Sequence, residues 1–231
     1  MINPWIQTGS GIAFDLICPT REMVNFKVDV AESLARIARF IGHVRSGTYS
    51  VAQHCVMGAD EIYRETGNKE LAAAFLLHDA HEAYMGDIAT PITAALVYWA
   101  GRMATSEIQF IGLGENARRT GAERALSNAI NAMKARLDEA IYTAAGIPYP
   151  LSEETHAAIK QMDIRMLATE RRHLLGASRL PWPQAVEEAK PIRLIGKFTI
   201  WPWPDAADEY IQRLEHYTPA FQKPSQKRKA G

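Results

Sequence analysis

The sequence predicts an all-α protein with a minor β element near its N-terminus. Apolar residues recur at spacings of three and four along most of the chain, which is the periodicity of amphipathic helices. Residues whose side chains favour helix N-termini precede several of these segments. We expect roughly six to eight helices packed as a bundle, in a single domain over residues 1–221.

The first part of the chain is predicted to contain the β element and two helices. Residues 5–17 are rich in strand-forming residues and are expected to form a short hairpin. Asp29 is suited to cap a helix that runs to about Ile41. The stretch Ser50-Val51-Ala52-Gln53 fits a capping box, so a second helix should begin there and end near Thr66.

The remaining helices are predicted from the same signals. They are expected over residues 92–111, 122–145, 152–175 and 205–217. The helix over 92–111 is apolar on much of its surface, so we expect it to be buried. The Pro- and Trp-rich segment 180–221 is treated as a C-terminal extension, and the polar, basic end at 222–231 as a disordered tail.

Composition excludes several classes of protein. The formal net charge is zero, which disfavours a dedicated polynucleotide binder because such proteins carry a basic excess. Two cysteines are too few for a disulfide framework. The chain shows no signal peptide and no apolar run of membrane-spanning length, so we expect a cytoplasmic protein that does not bind membranes.

The stretch 71–82 has the residues of a helix, with Asn68 suited to cap it. On such a helix His78 and Glu82 share one stripe, and Asp79 lies about 100° round from His78. Burying ionisable groups together without partners costs several kcal/mol each. A bound metal ion would supply the missing partner.

Three predicted helices place an ionisable group on or beside an apolar stripe: His54, His78 with Asp79, and Asp163. Two imidazoles and two carboxylates suit a divalent ion such as Mn²⁺, Co²⁺, Zn²⁺, Fe²⁺ or Mg²⁺. Water on such an ion can act as a nucleophile near neutral pH. Glu82 and Asp87 are the carboxylates placed to move its protons.

These residues resemble a known family. His54, His78-Asp79 and Asp163 match the H…HD…D pattern of HD-domain metal-dependent phosphohydrolases. Residues 78–91 are similar to the HD-x-x-E-x-x-x-G-D-x-x-T-P block of the bacterial 5′-deoxynucleotidases, and the likeness extends to phage hydrolases of dATP. Arg39-Phe40 resembles the Arg-aromatic pair of that branch, although the branch usually has Trp in the second position. The resemblance covers roughly residues 30–175 and implies an HD-domain helical bundle.

The resemblance implies a role for each matched residue. His54, His78, Asp79 and Asp163 would hold the metal, while Glu82 and Asp87 would handle the water nucleophile and the leaving-group proton. Arg39, Phe40, Asp87 and Thr90 would bind the substrate, with Arg39 on the phosphate. The extra histidine of the block, His81, is expected outside the ligand set, in a supporting or surface position.

The implied activity is hydrolysis of the 5′-phosphate ester of a deoxynucleotide. A dNMP would give nucleoside and phosphate, and a dNTP such as dATP would give nucleoside and triphosphate. The resemblance also implies a homo-oligomer. Two alternatives stay open: a nucleotide-sensing or interaction module without turnover, and an HD nuclease on single-stranded nucleic acid, which the zero net charge disfavours.

Overall fold

The computed structural model describes residues 3–106 and 115–221, so the predicted disordered tail at 222–231 lies outside the described residues. The described part is mainly helical, with one two-stranded sheet near the N-terminus, and this confirms the predicted fold class at the level of secondary structure. Six of its α-helices have eight residues or more. None of the described helices is both long enough and apolar enough to cross a bilayer.

The predicted hairpin is present. Strand β1 (Trp5–Gln7) pairs antiparallel with β2 (Ala13–Asp15), and Ile6 lies opposite Phe14. Phe14 is fully buried and its ring stacks on that of Tyr84, with centroids 3.7 Å apart. The hairpin therefore covers the short helix that carries Tyr84, close to the predicted site.

The helix predicted from Asp29 to Ile41 is wrong at both ends. Asn25 is the capping residue, and a π-helical turn over Phe26–Ala31 leads into helix α1 (Glu32–Arg36). Asp29 is buried and accepts hydrogen bonds from the backbone N–H and hydroxyl of Ser10, which ties the hairpin turn to this segment.

Helix α1 ends at Arg36, where a contact with a residue far along the chain replaces the helical hydrogen bonds. Ala38 forms an isolated antiparallel bridge with Ser50, and Ile37 before it is extended. A 3₁₀ segment follows over Arg39–Gly42, in which Phe40 has a φ of 56° and Ile41 a φ of 55°. Neither residue is a glycine, so this turn is strained relative to ordinary backbone.

Helix α2 (Val51–Thr66) has the predicted bounds. Ser50 Oγ accepts a hydrogen bond from the backbone N–H of Gln53, and Gly67 ends the helix with a φ of 68°. Only one half of the predicted capping box forms. The Gln53 amide instead donates to Thr199 O and accepts from the N–H of Trp201, so it holds the C-terminal extension against α2.

The helix predicted over 71–82 is interrupted. Helix α3 (Lys69–Leu76) begins at the predicted cap, Asn68, but tight turns follow it and helix α4 (Glu82–Met85) is a separate single turn. In the turns His78 N donates to Phe75 O at 3.2 Å, a bond over three residues in place of four. A single helical stripe therefore does not explain the positions of His78 and Glu82.

Helices α5 (Thr90–Ser106) and α6 (Glu115–Ala144) pack against each other. The start of α5 agrees with the Thr90-Pro91 signal, and the predicted end near residue 111 lies outside the described residues. The predicted burial of α5 is wrong, because several of its large apolar side chains are about half exposed. One long face of this helix is not covered by the described chain.

The C-terminal part completes the core. Helix α7 (Glu153–Leu174) is capped by Ser152 as predicted, and the short helix α8 (Gln184–Glu188) follows it. Helix α9 (Trp203–Tyr217) packs on α1, α2 and α3, and Tyr210 of α9 donates a hydrogen bond to Leu76 O. The extension is thus part of the main core.

Candidate metal centre and active site

The predicted ligands converge from three parts of the fold. His54 lies on α2, His78 and Asp79 lie in the turns after α3, and Asp163 lies on α7. Ligand atoms of His54, His78 and Asp79 are all within 4.8 Å of one another. Asp163 Oδ1 is 3.3 Å from His54 Nε2 and 4.0 Å from His78 Nε2. These side chains are close enough to surround a metal ion.

Both imidazole rings present a free Nε2 atom to this cluster. His54 Nε2 and His78 Nε2 are buried and have no hydrogen-bond partner among the described residues. The other nitrogens are engaged: His78 Nδ1 is 2.6 Å from Phe75 O, and His54 Nδ1 is 2.6 Å from Glu170 Oε1. Because these oxygens are acceptors, each Nδ1 carries a proton, and Nε2 is the atom of each ring that can bind a cation.

The two carboxylates complete a mixed nitrogen and oxygen set. Asp79 Oδ2 lies 3.2 Å from His78 Nε2 and 3.8 Å from His54 Nε2. The side chain of Asp163 is 42% exposed, so it forms the open side of the cluster. Unpartnered buried nitrogens are costly, and a divalent cation would bind both of them together with the carboxylates. The residues present therefore fit a metal ion.

The charged surroundings shift the pKa of both histidines. Burial and the nearby Arg39 lower the pKa of His54, but Glu170 and Asp163 outweigh them and raise it to about 9. Burial lowers the pKa of His78, and Asp79 and Asp163 oppose this only in part. Without a cation, His54 therefore also carries a proton on Nε2 at neutral pH, which a bound metal ion would have to displace, whereas His78 is neutral.

Glu170 is a site residue that the sequence analysis did not identify. It is fully buried on α7, seven residues after Asp163 and so on the same side of the helix. Its Oε1 accepts a hydrogen bond from Tyr49 Oη at 2.8 Å as well as from His54 Nδ1. The two-turn spacing from Asp163 is the one signal in the sequence that could have indicated it.

Arg39 lies beside the ligands, although not at a helix end as expected. Its side chain is 13% exposed; Nη1 is 3.3 Å from Asp79 Oδ2 and Nη2 is 3.3 Å from Glu170 Oε2. Burial acts to lower its pKa, but Glu170 and Asp79 raise it well above the ordinary value, so the guanidinium stays charged. Arg39 thus neutralises two carboxylates of the site. Phe40 follows in the strained turn, its ring centroid 5.8 Å from the Arg39 guanidinium carbon.

Glu82 begins α4 and is buried next to the cluster. One of its oxygens lies within 4.8 Å of ligand atoms of Asp79 and His81, and its Oε2 has no hydrogen-bond partner among the described residues. Burial, together with Asp79 and Asp87, raises the pKa of Glu82. Burial also raises the pKa of Asp87, which lies between α4 and α5.

Thr90 and His81 occupy different environments. Thr90 is exposed at the first position of α5, and no contact joins it to the ligand cluster among the described residues. His81 is buried, which excludes a surface position for it, and its Nδ1 is 2.9 Å from Asp138 Oδ1 of α6. His81 therefore connects the helix of Glu82 to α6.

Comparison with known proteins finds relatives without an assigned activity. The uncharacterized protein YfdR of Escherichia coli K12 is 32% identical over 146 residues, which are 63% of this chain and 59% of that protein. An uncharacterized protein of Rhodobacter capsulatus is 34% identical over 100 residues, which are 42% of this chain and 50% of that protein. The chain thus spans only about half to three fifths of the length of these relatives. No protein-family model matches the chain.

Proposed function

We propose that this protein is an HD-type phosphohydrolase that uses a divalent metal ion to hydrolyse the 5′-phosphate ester of deoxynucleotides. The observation that carries the proposal is the pair of buried Nε2 atoms of His54 and His78, which have no hydrogen-bond partner in the described part of the chain and face two carboxylates. A cluster that only supported the fold would leave these two nitrogens without a partner, whereas a bound cation would satisfy both of them. The deoxynucleotide substrate rests on the resemblance of residues 78–91 and of Arg39-Phe40 to the deoxynucleotidase branch.

The metal would be held by His54, His78, Asp79 and Asp163, and Mn²⁺, Co²⁺, Zn²⁺, Fe²⁺ and Mg²⁺ all suit this donor set. A divalent ion bound here lowers the pKa of its water and so supplies a nucleophile near neutral pH. Glu170 holds the His54 ring in place by accepting a hydrogen bond from its Nδ1–H. Tyr49 fixes Glu170 in turn through its hydroxyl.

The remaining carboxylates would move the protons. Glu82 is buried beside Asp79, and burial with the negative charges of Asp79 and Asp87 raises its pKa to about 9. A cation bound by Asp79 would offset that charge and lower the pKa of Glu82 towards neutrality, where a general base is most effective. Glu82 would accept the proton of the attacking water. Asp87, whose pKa is also raised, would donate a proton to the 5′-oxygen as the phosphate ester bond breaks.

The substrate phosphate would meet Arg39. Its guanidinium is permanently charged and lies 3.3 Å from Asp79, so a phosphate oxygen next to the ligands would come within its reach. Phe40 is adjacent and would pack on the sugar or the base, and Thr90 would border the phosphate from the start of α5. Monophosphates and triphosphates such as dATP are both compatible with these roles.

A substrate panel tests the proposal. Protein loaded with Mn²⁺ or Co²⁺ is incubated with dNMPs, dNTPs, NMPs and a single-stranded oligonucleotide, and the released nucleoside, phosphate and triphosphate are quantified. We expect release of nucleoside from at least one deoxynucleotide and none from a Glu82→Gln variant that still binds metal. Binding of nucleotides without turnover would indicate a sensing module, and cleavage of the oligonucleotide alone would indicate a nuclease.

A further inference from the structure

A second group of possible metal ligands adjoins the first. It consists of Asp79, His81 and Glu82, each of which offers one ligand atom within 4.8 Å of those of the other two. Donor atoms around one divalent ion lie at most about 4.4 Å apart, because each bond is about 2.2 Å long. Small adjustments of these side chains would therefore bring all three to bonding distance of one ion.

His81 is arranged in the same way as the two histidines of the first group. Its ring is buried, and its Nδ1 lies 2.9 Å from Asp138 Oδ1, so Nδ1 carries a proton that it donates to this carboxylate. Its Nε2 is buried and has no hydrogen-bond partner among the described residues. A carboxylate behind a histidine orients the ring of a metal ligand and raises its basicity. His81 occupies a position of the HD-x-x-E block to which the resemblance assigns no role.

Glu82 supplies a buried carboxylate with too few partners. The residue is 7% exposed, and its Oε2 has no hydrogen-bond partner in the described part of the chain. The nearby guanidinium of Arg39 pairs with Asp79 and Glu170. A buried carboxylate without a counter-charge is costly, and a cation between Glu82 and His81 would provide that charge.

Asp79 belongs to both groups. Its Oδ2 lies 3.2 Å from His78 Nε2 and 3.8 Å from His54 Nε2, on the side of the first group. A carboxylate has two oxygens, so Asp79 can bind a separate ion through each of them. Pairs of metal ions in hydrolytic sites lie about 3.5–4 Å apart, a separation that a shared carboxylate can span.

We propose that Asp79, His81 and Glu82 bind a second divalent ion and that Asp79 bridges it to the first. One imidazole and two carboxylates suit an ion that prefers oxygen ligands, such as Mn²⁺. The second ion has three protein ligands where the first has four, so it binds more weakly, and dialysed protein should retain the first ion alone.

A second ion would deepen the proposed function, on which this inference rests because Asp79 is shared. Two adjacent ions stabilise the negative oxygens of a phosphate ester more strongly than one ion does. One oxygen of Glu82 would bind the second ion, and its other oxygen would stay available to the water on the first.

Manganese binding to the full chain tests the second site. Metal-free protein is titrated with Mn²⁺ and followed by calorimetry and by electron paramagnetic resonance. We expect the wild type to bind two ions, with a spin-coupled spectrum once both are present, because Asp79 joins them. His81→Phe keeps a ring but has no ligand atom, so it should bind one ion with an uncoupled spectrum and unchanged affinity for the first site.

Two further variants make this test specific. Asp138→Asn still accepts a hydrogen bond from His81 but lacks the charge, so the dissociation constant of the second ion alone should rise by about 10- to 100-fold. His156→Ala is the matched control, since His156 is an exposed histidine of α7, and it should bind both ions as the wild type does. Circular dichroism and the thermal midpoint check the folding of each variant.

The number of ions bound separates this inference from the proposed function. A wild type that binds a single, uncoupled Mn²⁺ would overturn the second site and leave the proposed function standing, whereas a wild type that binds none would overturn both. Two ions in folded His81→Phe would also overturn the second site. Should His81→Phe fail to fold, an unchanged second affinity in Asp138→Asn would overturn it.

Discussion

Glu170 Oε1 lies 2.6 Å from His54 Nδ1, and both side chains are fully buried. The contact joins α7 to α2 directly behind the candidate metal centre. It fixes the His54 ring so that Nε2 points to Asp79 and Asp163. Carboxylates that hold a ligating histidine in this way raise its basicity and set its orientation.

Glu170→Gln should weaken metal binding without abolishing it. The amide can still accept a hydrogen bond from His54, but it loses the negative charge that polarises the ring and pairs with Arg39. We expect the metal dissociation constant to rise by about 10- to 100-fold, measured by competition with a chelator. Glu154→Gln, an exposed change on the same helix, is the control. An unchanged affinity in Glu170→Gln would mean that Glu170 only supports the fold.

Variants of the proposed metal ligands and of the proposed general base should differ in how much metal they bind. His78→Ala and Asp163→Ala each remove a donor, so elemental analysis should find most of the metal lost and assays should find no hydrolysis. Glu82→Ala should keep its metal and lose most of its rate, because the proposed role of Glu82 is to act on the water and not on the ion held by His54 and His78. Stoichiometric metal in Asp163→Ala would show that Asp163 is not a ligand.

The two roles proposed for Arg39, phosphate binding and neutralisation of nearby carboxylates, can be measured separately. If it binds phosphate, Arg39→Ala should lower kcat/KM by about two to three decades. Because it also pairs with Asp79 and Glu170, its loss should lower the free energy of unfolding by about 3 kcal/mol. Arg39→Lys should recover part of both, since it retains the charge without the planar fork.

The control for Arg39 is Arg36→Ala, which removes an exposed arginine paired with Glu32 four residues earlier in the chain. The Arg36 guanidinium also stacks on the Trp203 ring at 3.7 Å, so we expect a loss of only about 1 kcal/mol in the free energy of unfolding and wild-type kinetics. If Arg39→Ala were destabilised but hydrolysed every nucleotide at the wild-type rate, Arg39 would serve only to neutralise the two carboxylates.

Local signals in the sequence predicted local structure well. Ser50 accepts a hydrogen bond from the backbone N–H of Gln53, and the N–H of Gly67 donates to Tyr63 O, so both ends of this helix depend only on residues a few positions away. The helix between Ser50 and Gly67 has the predicted bounds. The helix predicted from Asp29 to Ile41 failed because the bridge between Ala38 and Ser50 is a tertiary contact, which periodicity does not contain.

The candidate site likewise contains residues that local sequence signals predicted and one residue that depends on tertiary contacts. His54, His78, Asp79 and Asp163 could be named because each is an ionisable residue in an otherwise apolar pattern. Their approach to one another in the structure agrees with that prediction, while their binding of metal stays a prediction. Glu170 was missed because its partners, His54 and Tyr49, are more than 100 residues away in sequence. The exposure of α5 was not predicted, because an apolar pattern indicates burial but does not show which surface would cover the helix.

Gly58 provides a test of how packing supports the site. A Cβ atom at this position of α2 would lie 2.1 Å from the ring of Phe75, which is fully buried. The Phe75 ring in turn packs against both histidines, with centroid distances of 4.3 Å to His78 and 5.8 Å to His54. An added methyl group must therefore displace Phe75 towards the two imidazoles or separate α2 from α3.

Gly58→Ala should lower the free energy of unfolding by about 1–3 kcal/mol, the usual cost of overpacking a core, and should also weaken metal binding because the rings move. Gly121→Ala is the matched control: Gly121 lies in α6 with open space around its Cβ position, so alanine there should stabilise the helix by up to about 1 kcal/mol. Chemical denaturation of the metal-free proteins measures the first effect, and chelator competition measures the second. Gly58→Ala with reduced stability but wild-type metal affinity would show that Phe75 can move without disturbing His54 and His78.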